Sequence, residues 1–131
     1  MNITGLGRAS LKVRDLAASE RFYSRILRMP VVSRSRPRAG ASAGVEFRVG
    51  HAHEFIVEPA GELASDDAHA ITGVTHLAFV VGNNPRTLQD AARHLTEQGV
   101  PFEQVAREEY ESLLLRDPDG HLIELYYWPE W

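Results

Sequence analysis

Glu124 is the residue of this chain whose chemistry most needs an explanation. It lies inside the apolar run Leu122–Tyr127, flanked by Ile123 and Leu125. A carboxylate there needs a cation, a metal or strong hydrogen bonds to offset its desolvation. The run follows Ser112–Arg116 through Asp117-Pro118-Asp119-Gly120. Proline fixes φ and glycine accepts positive φ, so the tetrapeptide predicts a tight turn between two paired strands. With 6 histidines and no cysteine, any metal would be held by imidazole and carboxylate, and neither a thiolate nucleophile nor a disulfide framework exists. His76 opens a strand-like run, where a core histidine bonded to a carbonyl competes with a functional one. His51, His53 and His121 fall in or beside turns, so solvent exposure is expected for each.

The elements that must position these groups follow from periodicity. Leu11 and Val13 alternate with polar neighbours, the pattern of a half-buried strand. Asp15 reads as a helix N-cap; Leu16, Phe22, Tyr23, Ile26 and Leu27 fall at helical spacing, and Pro30 ends the helix. Val31–Arg34, Gly44–Val49 and Glu54–Glu58 read as strands. Residues 59–73 form a polar linker without periodicity. Val74–Val81 is again a strand, and Asn84 with Pro85 caps a helix striped by Leu88, Ala91, Ala92 and Leu95. Gly99 and Pro101 stop it. A strand within 101–110 and the hairpin complete the order.

Both halves therefore read βαβββ, and Arg8–Val13 aligns with His76–Val81 at an offset of about 68 residues. The expected fold is α+β: one domain over 1–131, with a first module at about 1–60 and a second at about 74–131. One helix covers one face of a four-stranded sheet, so two such modules, paired within the chain or across a dimer, would enclose a ligand cavity.

A formal net charge of −4 with dispersed Lys and Arg argues against nucleic acid as the partner and for a small molecule. No run approaches the roughly 20 apolar residues of a membrane span, and the N-terminal residues lack a signal-peptide core, so a cytoplasmic protein is expected. Arg34, Arg36 and Arg38 alternate as a solvated basic edge. The aromatic end Tyr126, Tyr127, Trp128 and Trp131 suggests a buried terminus or a homodimer contact.

Three stretches resemble the vicinal-oxygen-chelate superfamily, the group of glyoxalases, bleomycin- and fosfomycin-resistance proteins and extradiol dioxygenases. They are Leu11-Lys-Val-Arg-Asp-Leu16 with Phe22-Tyr23 and Ile26-Leu27, then Thr75-His-Leu-Ala-Phe79, then Asp117-Pro-Asp-Gly-His-Leu-Ile-Glu124. The resemblance spans nearly the whole chain, and the Asp-Pro-Asp-Gly hairpin with its Glu is its most specific part. It implies paired βαβββ modules around a cavity. In catalytic members a divalent metal there chelates substrate oxygens as a Lewis acid.

Carried over residue by residue, the resemblance places metal ligands at Glu124 and His76. The first-module counterpart of that His falls on Arg8, which stays protonated and cannot ligate. A fourth ligand near the end of the first module falls on Glu58, taken as pseudo-symmetric to Glu124, or alternatively on Phe55. Two arrangements follow. In one, Arg8 replaces the metal, its guanidinium neutralising Glu124 and contacting Glu58 or a bound anion bidentately; in the other, His76, Glu124 and Glu58 hold Zn, Ni, Mn or Fe, with Arg8 beside it polarising substrate. The first is preferred, because a fixed positive charge near a dication is costly.

The implied function is a glyoxalase-like lyase or isomerase, with Glu124 and Arg8 catalytic and Arg8, His76 and Tyr110 contacting substrate. The alternative is a metal-free protein that sequesters a drug or metabolite. Extradiol ring cleavage ranks last, because the Tyr acid-base position of those members, ten before the Glu, is Leu114 here.

Overall fold

The computed structural model describes residues 1–2, 7–35, 44–50, 53–59, 76–106, 108 and 110–129. The chain divides into two compact units, Met1–Gly73 and Val74–Trp131.

In the first unit, β1 (Arg8–Val13) leads into α1 (Leu16–Arg21), which continues as a π-helical turn over Phe22–Ile26. Asp15 caps α1 by accepting the Ala18 N–H at 3.0 Å. Strands β2 (Val31–Ser35), β3 (Gly44–Val49) and β4 (His53–Pro59) complete a sheet of order β1-β4-β3-β2. Pro59, expected in the linker, ends β4; the rest of the linker lies outside the described residues. Strand parity sends Leu11, Val13, Val45, Phe47, Phe55 and Val57 to one face, where all are buried with Phe22 and Tyr23. The Tyr23 ring is the hub, 4.8 Å from Phe55 and 5.1 Å from Phe22 between centroids.

The second unit repeats the order: β5 (His76–Gly82), α2 (Pro85–Glu97), β6 (Glu103–Ala106), β7 (Glu111–Arg116) and β8 (Leu122–Tyr127), with sheet order β5-β8-β7-β6. The expected α+β pair of βαβββ modules is therefore present. Asn84 caps α2 by accepting the N–H groups of Arg86 and Thr87 at 3.1 and 3.3 Å. Leu88 and Leu95 turn the apolar stripe of α2 toward buried Leu113, Leu115, Ile123 and Leu125. The other parity of these strands faces away from the helix. Parallel pairing sets His76 against Leu122, Ala78 against Glu124 and Val80 against Tyr126. Antiparallel pairing sets Leu114 against Glu124 and Arg116 against Leu122. No described helix is long and apolar enough to cross a membrane.

Candidate functional site

Glu124 faces away from α2 because Ile123 and Leu125 face toward it. Its side chain is 5% exposed, and its Oε2 lies 2.7 Å from Nε2 of His76, whose side chain is 39% exposed. The sequence posed the question of which group offsets this carboxylate, and the His76 imidazole is one such partner. A carboxylate accepts and does not donate, so Nε2 carries the proton, and in the neutral ring Nδ1 presents its lone pair. Such a pair holds a proton acceptor in fixed orientation, the arrangement of a base steadied by a buried third group.

The hairpin turn is more ordered than its composition suggested. Asp117 Oδ1 accepts the N–H groups of Asp119 and His121 at 3.0 and 2.8 Å, while Oδ2 meets His121 Nδ1 at 2.7 Å. Gly120, at φ 89°, makes the reversal. His121 is therefore not the solvent-exposed turn residue expected: it is 1% exposed, because the turn folds its ring back onto Asp117. The signal lay in the Asp-x-x-x-His spacing, which lets one carboxylate bond both the backbone and the ring. Asp117, Asp119 and His121 also bring potential ligand atoms within 4.8 Å of one another, but both Asp117 oxygens are already committed to the turn.

Register within the first unit corrects one expected correspondence. Arg8 stands opposite Glu54, Ser10 opposite Ile56 and Lys12 opposite Glu58. Since Ala78 stands opposite Glu124, the first-unit counterpart of Glu124 is Ile56, and Glu58 corresponds to Tyr126. The two alternatives weighed from sequence each miss by a residue or more. Phe55 is a buried core residue on the helix-packed face, and the Glu58 carboxylate pairs with Lys12. This correspondence takes Arg8 and His76, which open β1 and β5, as equivalent.

Tyr110 joins an aromatic cluster at the end of β8. Its ring lies 5.1 Å from Tyr126 and 6.1 Å from Trp128, and the Trp128 N–H donates to the Gly82 carbonyl at 2.8 Å. Burial, then the charges of Tyr110 and Glu124, raise the Tyr126 phenol above its ordinary range. Trp131 lies outside the described residues, as do Arg36 and Arg38. Arg34 is tied to Glu20 of α1.

Among the described residues the pair does not by itself fit a resident divalent metal: His76 and Glu124 offer two donors, whereas three protein ligands are the usual minimum for a catalytic site. Their first-unit counterparts are a guanidinium and an alkyl side chain, neither a ligand, and Glu58 is engaged by Lys12.

The model of the Glyoxalase/Bleomycin resistance protein/Dioxygenase superfamily matches residues 5–125. Catechol-2,3-dioxygenase of Bacillus subtilis is 28% identical over 123 residues, covering 94% of this chain and 41% of that protein, so the chain spans about two-fifths of that relative's length. Lactoylglutathione lyase from Agrobacterium tumefaciens matches with a TM-score of 0.79 at 18% identity, covering 100% of this chain and 98% of that one. A fosfomycin resistance protein from Listeria monocytogenes, complexed with Mn(II) and a dihydroxypropylphosphonic acid, matches with a TM-score of 0.71 at 20% identity, covering 95% and 93%. At these identities the two structures establish a common fold.

Proposed function

The chain belongs to the glyoxalase/bleomycin resistance protein/dioxygenase superfamily, and on that premise we propose that it is a small-molecule lyase or isomerase of the glyoxalase type. Substrate lies over the helix-free face of the second sheet, and His76 moves a proton at Nδ1 while Glu124 holds the ring through Nε2. The carrying observation is the 2.7 Å contact between a buried carboxylate and a part-exposed imidazole. The carboxylate keeps the ring in one orientation and one tautomer, and the ring's open edge can reach a ligand. We assign Tyr110, whose ring packs on Tyr126 of the same unit, to substrate contact.

Because the donor set does not suit a metal, no step is routed through one. Ring cleavage of the catechol dioxygenase kind is disfavoured by Leu114, which stands directly across from Glu124 and has no proton to give. Ile56 and Arg8 at the ligand-equivalent positions favour a second reading, sequestration of a ligand without turnover.

One experiment separates the two. Small carbonyl compounds and hydroxy acids are screened by thermal shift, and each ligand found is incubated with the protein in D₂O. Wild type should exchange a carbon-bound proton of its ligand, and His76→Gln should not. Tight binding without exchange would establish sequestration and overturn catalysis.

A further inference from the structure

Beside the reactive pair, Pro101, Phe102, Glu103, Leu114, Arg116 and Leu122 line a groove of about 470 Å³, within the size range of small-ligand sites. Register joins it to the pair, since Leu114 is the cross-strand neighbour of Glu124 and Leu122 that of His76. Directly opposed side chains on one sheet face lie about 5 Å apart at Cβ, so a molecule resting on these leucines adjoins the imidazole.

The floor is apolar, with Leu114 and Leu122 on the strands and Phe102 at the entry to β6. Two charges stand on its rim. Arg116 Nη1 donates to the Gly120 carbonyl at 3.0 Å, which anchors the guanidinium to the hairpin turn. Among the described residues no ion pair joins Arg116 to Glu103, and none takes the other guanidinium N–H groups. A planar fork held at one corner is suited to a carboxylate.

We propose that this groove binds a small apolar carboxylic acid, its hydrocarbon part on Leu114, Leu122 and Phe102 and its carboxylate on Arg116. This names the substrate class of the His76–Glu124 site and rests on that reading only for what happens after binding. Glu103 limits affinity by repelling the anion, and so disfavours a second negative charge on the ligand.

The test is calorimetric titration of the intact chain with 3-phenylpropionate, hexanoate and the neutral amide of each. The acids should bind, and the amides should bind about tenfold more weakly or worse, the effect of a charge-assisted hydrogen bond. Arg116→Gln should weaken the acids by about the same factor and leave the amides unchanged, whereas Glu103→Gln should tighten the acids several-fold. Wild type that binds the acids yet exchanges no carbon-bound proton of them tells against catalysis alone and leaves the groove's ligand class standing. Equal binding of acid and amide, or absence of binding by every acid, overturns the proposal. The acid and amide comparison uses wild type, so a poorly folded Arg116 variant leaves the test intact.

Discussion

Nε2 of His76 and Oε2 of Glu124 lie 2.7 Å apart across two neighbouring parallel strands. The contact is diagonal, because His76 is in register with Leu122 and Glu124 with Ala78. One side chain is buried and the other reaches solvent, so the pair has an anchored end and an accessible end.

Removing the anchor should cost stability. Glu124→Ala deletes a buried, charge-assisted hydrogen bond and is expected to destabilise by about 1–3 kcal/mol in urea unfolding. His76→Gln, which truncates the part-exposed partner, should cost less. Equal costs would show that Glu124 is not the desolvated member.

In the turn, Asp117→Ala strands the N–H groups of Asp119 and His121. A loss of at least about 2 kcal/mol is expected by chemical denaturation. Asp117→Asn keeps an acceptor for them and should lose less. Identical losses would mean that the backbone bonds contribute nothing.

Tyr126 should titrate above the ordinary tyrosine value of about 10 in alkaline ultraviolet difference spectra against Tyr126→Phe. Burial and the Tyr110 and Glu124 charges favour the neutral phenol in the folded chain. The sign follows: this contribution to stability is fully present below the unfolded-state value and is lost as pH rises through the folded-state value. Glu124→Gln removes one of the charges and should move the titration downward; an unchanged titration would separate the two residues electrostatically.

Glu58→Gln is expected to change stability by less than about 1 kcal/mol, since the Lys12 and Glu58 side chains remain 41% and 30% exposed. Its affinity for Zn(II) should equal that of wild type. A loss of affinity would return Glu58 to the role of ligand.

What could be read from the sequence was local. The Asp15 and Asn84 caps, the Gly120 reversal and the apolar stripe of α2 depend on a few adjacent residues, and each lies where the pattern placed it. Glu124 stood out because its own neighbours are apolar. Register was harder: Glu58 and Ile56 share a strand face, so alternation alone could not tell which corresponds to Glu124, and only the pairing of β1 with β4 did. His121 was misjudged because a turn residue is exposed by default, and its burial depends on a side chain four residues earlier.

The central claim is that His76 and Glu124 form a hydrogen-bonded acid-base pair and not two arms of a metal site. Long-range ¹H–¹⁵N spectra of the imidazoles, recorded on protein never exposed to chelator or metal resin, test it most directly. We expect the His76 pattern to show a protonated Nε2 and a bare Nδ1, to survive one equivalent of Zn(II), Ni(II) or Mn(II), and to be lost in Glu124→Ala. Displacement of the Nε2 proton by one equivalent of metal would contradict it.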